Sequence, residues 1–373
     1  MSEHFPWNLM EGIFSKIPIS YPVLSLLVSA LIFLIYLAFM FVIKLEDFQY
    51  DPNSLLQIIF TSTFIAYLLI GNQYILDNLM SYIDKLKYVS GKEQYQEEIY
   101  DILDGDISKL NGFYLLLFVV IAPFILKDFL EIYLGATTFD QSFFSSNIFN
   151  IYNYSVFLFS LYLLTNMIWI VIKISQFFKD LARGPYQEIV QIDLFCTDKM
   201  GGLGHLRRFI VNAILYYSLG ISIAVMAYVN PGGYQDVYFE IGYLLLLLAA
   251  GIVLLIKSSK ELQDLFRREA DKEIFEINEK IKQLYRRLME IAAIKKDGDK
   301  WEEELNFISS SIELLNKQRA ERESLLRDNA KTYNLKDKLV AFNSFIMVLF
   351  ALYEKLNNFG IISFLLESLN LKN

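Results

Sequence analysis

The fold of this chain is decided at residues 239–268, which read FEIGYLLLLLAAGIVLLIKSSKELQDLFRR. Up to Ile256 the stretch is apolar, and its length approaches what a helix needs to cross a bilayer. From Lys257 onward every turn carries charge, while leucines still recur at helical spacing. No proline or glycine interrupts the change. We therefore predict one continuous helix that leaves the membrane near Lys257.

The composition is typical of a membrane protein. Of the 373 residues, 54% are hydrophobic and 16% aromatic, and the mean hydropathy is +0.35. Soluble domains rarely combine such values with long apolar runs. The aromatic side chains are expected at lipid-facing and interfacial positions. A net charge of −8 argues against nucleic acid as a partner, because a nucleic-acid site would be basic and clustered.

Six apolar segments are predicted to cross the membrane. Lipid offers the backbone no hydrogen-bond partners, so each segment is expected to be a helix. The segments are 21–43, 55–76, 110–126, 152–172, 209–229 and 239–256. The prediction is an all-α polytopic protein in four parts: an interfacial segment 1–20, a six-helix membrane domain 21–256, a cytoplasmic helical hairpin 257–332 and amphipathic C-terminal helices 333–373.

Lysine and arginine gather in alternate loops, which predicts the orientation. The loops after the second, fourth and sixth segments are rich in these residues, and the other loops hold one each at most. Because cytoplasmic loops carry the excess of positive charge, both termini are placed in the cytoplasm. Residues 5–16 are predicted to form either a short amphipathic helix at the interface or a frayed terminus.

Apolar residues after Lys260 alternate in steps of three and four, the spacing of a coiled-coil seam. Asp297, Gly298 and Asp299 then provide a turn, and a second seam follows. An antiparallel hairpin is therefore predicted. The seams consist of Ile274, Ile277, Ile281, Leu284, Leu288 and Ile291, and of Trp301, Leu305, Ile308, Ile312 and Leu315.

The segment 339–353 is apolar again but has only 15 residues, which is short for a bilayer crossing. The favoured interpretation is a helix packed against the hairpin, a neighbouring subunit or the inner leaflet. The alternative is a seventh span, which would place the C-terminus outside.

Polar residues inside the predicted spans are candidates for lining a pore, because burial in lipid is costly for them. The alternative role is hydrogen bonding between helices. The candidates are Thr61, Ser62, Asn72, Gln73 and Asn212.

The loop before the fifth segment is a candidate site for an anion or a lipid headgroup. Glycine amides can approach a phosphate closely, and the arginines that follow would add positive charge. The alternative is a plain turn that starts the fifth span. The residues are Gly201, Gly202, Gly204, Arg207 and Arg208.

The function predicted from the sequence is an oligomeric ion channel or channel-like pore, with the hairpin as a gating or assembly element. The alternative is a membrane-anchored signalling or scaffold protein whose hairpin binds a cytoplasmic partner. The sequence shows no catalytic motif, and an enzyme is not predicted. A single cysteine, Cys196, and two distant histidines predict neither a metal nor another cofactor. The expected partners are the lipid bilayer and further copies of the chain.

Overall fold

A computed structural model describes residues 17–41, 52–90, 110–133, 148–183, 203–228, 234–293 and 299–358. Almost all of these residues lie in α-helices, which confirms the all-α prediction. The helices are α1 (Tyr21–Phe41), α2 (Pro52–Ser90), α3 (Leu110–Tyr133), α4 (Ile148–Arg183), α5 (Gly204–Tyr228), α6 (Tyr234–Ala293) and α7 (Asp299–Asn358). The predicted interfacial segment before residue 17, most of the turn at 297–299 and the chain after Asn358 lie outside the described residues.

Five of these helices are long and apolar enough to cross a membrane: α1, α2, α4, α5 and α6. In α3 the apolar stretch Gly112–Leu126 is shorter. The chain is therefore a multi-pass membrane protein. The third predicted crossing rests on α3, a 24-residue helix that contains Pro123.

Helix α5 is the centre of the bundle. Its buried side chains contact α2, α6 and α7, while α4 packs across α6, α2 and α3. Helices α1 and α3 are peripheral and expose large apolar side chains such as Leu31 and Phe118. Lipid is the environment in which such faces are stable, because no water is ordered around them there.

Helix α6 is a single helix of 60 residues, which makes it about 90 Å long at 1.5 Å per residue. The prediction of one helix through Lys257 is confirmed. Leucines on one side of this stretch, including Leu255, Leu262 and Leu265, are buried in the same core as the apolar half. Burial of this stripe stabilises the charged continuation, because helical stability comes mainly from packing of an apolar face.

Helix α7 returns antiparallel to α6. Arg287 lies 2.7 Å from Glu304, and Arg322 lies 3.3 Å from Glu273. The two predicted seams face each other inside the hairpin. Their most buried members are Ile277, Ile281, Ile308 and Ile312. On the exposed side, Lys282 donates a hydrogen bond to Glu279, which lowers the pKa of that carboxyl.

Helix α7 also continues beyond the predicted hairpin. It runs without interruption through residue 332 and ends at Asn358, so the predicted C-terminal amphipathic segment begins as an extension of the same helix. Its last turns return to the bundle, where Val348 and Leu352 join the main hydrophobic core. Packing of this stretch against the hairpin, a neighbouring subunit or the inner leaflet stays a prediction.

Candidate functional site

Two adjacent tyrosines of α5 hold the centre of the bundle together. The Tyr216 ring stacks on Tyr67 of α2 with centroids 5.0 Å apart, and the Tyr67 hydroxyl donates to the Tyr216 carbonyl at 2.7 Å. On the other side, the Tyr217 hydroxyl donates to the Leu247 carbonyl of α6 at 2.7 Å. These side chains form a wedge that joins α2, α5 and α6.

Glycines on the two neighbouring helices make room for the wedge. A Cβ atom on Gly71 of α2 would overlap the Tyr216 ring, and one on Gly251 of α6 would overlap the Tyr217 ring. Small residues allow helices to approach closely in membranes, and here the space they leave is filled by an aromatic ring. Gly242, also in α6, has no such neighbour.

Tyrosine hydroxyls bridge other helix pairs in the same manner. Tyr152 of α4 donates to the Ile32 carbonyl of α1 at 2.5 Å, and Tyr243 of α6 donates to the Val120 carbonyl of α3 at 3.2 Å. Tyr228 of α5 donates to Ser160 of α4. The sequence-based prediction placed aromatic residues at lipid-facing and interfacial positions and did not include this bridging role. The available signal was the adjacent Tyr216–Tyr217 pair within a span.

The predicted pore-lining residues on α2 are mostly buried between helices. Thr61 donates to the Gln57 carbonyl of its own helix at 2.9 Å, and the Ser62 carbonyl accepts from Ser29 of α1 at 2.6 Å. Asn72 accepts a hydrogen bond from the Tyr216 hydroxyl at 3.2 Å. The Asn72 side chain thus bonds to a neighbouring helix, as in the alternative role, whereas the Thr61 hydroxyl bonds within α2 and Ser62 is bonded through its backbone.

Gln73 and Asn212 lie nearer the surface of the chain. Gln73 is half-buried and donates to Asp77 at 3.1 Å. Asn212 is exposed, one helical turn before Tyr216 on α5. Asn72 is instead buried, where it accepts from Tyr216. The pore-lining role of all five residues stays a prediction.

The predicted anion site is described only in part. Gly201 and Gly202 lie outside the described residues, while Gly204 begins α5. Arg207 is half-buried and Arg208 is exposed, both in the first turn of the helix. An amide-rich helix start with arginines suits an anion, and this role also stays a prediction.

A charged cluster holds α4 to α6 where both helices leave the apolar bundle. Arg183 Nε of α4 lies 2.7 Å from Glu261 Oε2 of α6, and Arg183 Nη2 lies 3.7 Å from Asp264. The Glu261 side chain is buried although it carries a carboxylate. We call Arg183, Glu261, Asp264 and Arg268 the exit cluster.

Further polar contacts surround the exit cluster. Arg268 of α6 donates to the Ala182 carbonyl near the end of α4, which leaves fewer of the last α4 carbonyls unsatisfied. About two helical turns deeper in the bundle, Ser175 donates to the Leu254 carbonyl of α6 at 3.3 Å. Within α4, the Lys173 ammonium lies 4.7 Å from the Trp169 ring centre. Helices α4 and α6 are thus bonded at several levels as far as Arg183, where α4 ends.

Replacement of Arg183 by alanine is expected to lower the free energy of unfolding by about 1–2 kcal/mol, because buried Glu261 loses its cation while the arginine itself is half exposed. Denaturation in mixed micelles measures this. Arg327→Ala is the matched control: its pair with Glu323 is exposed and should cost under about 0.5 kcal/mol. Equal losses in the two variants would contradict a special role for the exit cluster.

Among the described residues, no three His, Cys, Asp or Glu side chains come together as a metal site would require. No family model, curated protein or solved structure matches this chain.

Proposed function

We propose that the chain is a subunit of an oligomeric channel or channel-like pore, in which the charged hairpin transmits movement to the membrane helices. The observation that carries the proposal is the continuity of α6. One helix passes through the bundle, the exit cluster and the hairpin, so a tilt of the hairpin must move its membrane half or strain the helix. Packed helices respond to such forces by shifting as rigid bodies.

The edge formed by α2 and α5 is the surface we assign to the conduction path. Asn212 is exposed there, within a span, where contact with hydrocarbon would be unfavourable. On α2, Asn72 Nδ2 and, about 15 Å further along the helix, Ser62 Oγ are buried without a hydrogen-bond partner among the described residues. Buried polar groups are normally paired, so these atoms favour a hydrated region beside α2. Large apolar and aromatic side chains fill the centre of the chain, which favours a path between copies.

The hairpin supplies a surface for assembly with a second copy. Phe275, Met289 and Phe307 are largely exposed on it, beyond the apolar half of the bundle. Exposed aromatic and methionine side chains are enriched in protein interfaces. In the pore hypothesis they pack against the hairpin of the neighbouring subunit.

Flux across liposomes containing the purified chain tests the proposal. We expect ion flux from wild-type protein and a several-fold lower flux from Asn212→Leu, which removes the exposed amide from the path. Thr63→Val is the matched control, because Thr63 is exposed on α2 but donates to its own helix at Ile59. Flux that is absent under all ionic gradients and voltages, in a protein that is monomeric in nanodiscs, would contradict the pore hypothesis.

The second candidate is a membrane-anchored scaffold, favoured by the same exposed hairpin residues. A scaffold would use them for a different protein, one presenting an apolar helical face. The scaffold hypothesis predicts a monomeric chain without flux, and loss of the partner when residues 260–331 are deleted. The pore hypothesis predicts that the deleted chain retains some flux or becomes ungated.

A further inference from the structure

The last part of α7 carries a charge-free stretch of the same length as the membrane part of α6. In α6, the residues between Glu240 and Lys257 are all uncharged; in α7, the same is true between Lys338 and Glu354. These stretches have 16 and 15 residues. The α7 stretch is one residue shorter than that of α6, and its apolar part Phe342–Tyr353 is shorter than those of the five spanning helices.

The hairpin places the two stretches at the same level. Antiparallel pairing brings Glu273 of α6 beside Arg322 of α7. Counting sixteen residues back from Glu273 reaches Lys257, and counting sixteen forward from Arg322 reaches Lys338. Both helices rise by about 1.5 Å per residue, so Lys257 and Lys338 enter the apolar layer together. The same count brings Glu240 level with Lys355, at the far boundary.

The side chains of residues 339–353 are distributed as in a membrane helix, with one face buried in the bundle and the other exposed. Ser344, Val348 and Leu352 form a buried face, and the latter two belong to the main core. The opposite face is exposed and, apart from Asn343 five residues beyond Lys338, apolar. Its apolar members are Leu339, Phe342, Phe345, Ile346, Leu349, Phe350 and Tyr353. A mainly apolar face at the depth of the α6 span fits acyl chains, because that layer contains no water.

A crossing of 15 residues covers about 22 Å, less than the roughly 30 Å of an average hydrocarbon layer. Two features reduce this mismatch. Lysine side chains at helix ends extend towards the headgroups, and a bilayer thins locally around short spans at modest cost. In helix α6, the charge-free stretch that must cross the same hydrocarbon layer is only one residue longer.

We propose that α7 crosses the bilayer through residues 339–353, with its exposed face against lipid acyl chains. Asn358 then lies on the membrane face opposite the hairpin. The number of crossings would be seven with α3 included, and the C-terminal end of α7 would be outside if the hairpin is cytoplasmic. The proposal does not depend on a pore.

Cysteine labelling tests the proposal within one helix. Cys196 is the only native cysteine, so Cys196→Ser provides a background without thiols. Ser310→Cys is placed on the exposed hairpin part of α7, and Asn358→Cys at the end of the same helix. Sealed vesicles are treated with a membrane-impermeant maleimide, then opened with detergent and treated with a second maleimide of different mass.

In the doubly substituted chain, we expect each molecule to carry one label of each mass, whichever way the vesicle is oriented. Two labels of the same mass on each molecule would overturn the proposal, since both ends would then lie on one face. Asn357→Cys replaces Asn358→Cys if that variant does not fold. The single-cysteine variants confirm that each site reacts fully once the vesicles are open.

Discussion

Replacement of Ile346 by aspartate is expected to prevent the end of α7 from inserting. Ile346 lies at the middle of the charge-free stretch and is 45% exposed on its lipid-facing side. An aspartate at the centre of a membrane helix costs about 3 kcal/mol for insertion. This insertion cost is an upper limit for Ile346→Asp, because water can approach the centre of a short span. We expect at least a several-fold loss of molecules with Asn358 on the far side, measured by the two-label assay.

Leu314→Asp is the matched control for Ile346→Asp. Leu314 is another aliphatic residue of α7, 58% exposed, but it lies on the hairpin. Surface substitutions of this kind change stability by about 0.5 kcal/mol or less. Equal tolerance of both aspartates would indicate that residues 339–353 lie in water. This result would contradict the crossing whatever the labelling of the cysteine variants without an aspartate shows.

Enlargement of Gly251 is expected to be the most damaging change in the centre of the bundle. In Gly251→Val, the new side chain would occupy the place of the Tyr217 ring, which is buried and bonded to the Leu247 carbonyl. Overpacking of a filled core costs about 1–3 kcal/mol, and this case lies at the upper end because the ring has little room to move. The measurement is unfolding in mixed micelles or the yield of folded protein.

Gly242→Val is the control for Gly251→Val, because the same helix has open space at Gly242. We expect little loss there. A double-mutant cycle identifies the cause. Gly251→Val should lower the free energy of unfolding clearly less when Tyr217 is already alanine, because the valine then occupies the space that the ring has left. Equal costs in both backgrounds would show that the glycine serves the backbone of α6 and not the tyrosine wedge.

The continuity of α6 and the inward seam of the hairpin were accessible from the sequence. Both depend on local properties: the absence of a helix breaker near Lys257 and the three-and-four spacing around Ile277 and Ile308. Local periodicity and breakers are encoded over a few turns, so they can be recognised without knowledge of distant contacts. The prediction of separate C-terminal helices from residue 333 relied on a change of composition. Such a change marks a new environment and not necessarily a new helix.

The tyrosine wedge and the exit cluster were not accessible from the sequence. Tyr67 and Tyr216 lie 149 positions apart, and Arg183 and Glu261 are separated by a whole helix. Nothing local distinguishes Gly251, which must be small, from Gly242, which has free space. Only the packing of the helices decides which ring meets which glycine.

By itself, the sequence determined that this is an all-α membrane protein with a long charged helix pair, because apolar length and helical spacing are properties of single segments. The tertiary structure alone decided that α5 is central and that the exit cluster joins the end of α4 to α6. It also decided that the end of α7 rejoins the core. These features depend on shape and charge matching between segments far apart in the chain, which no local pattern records.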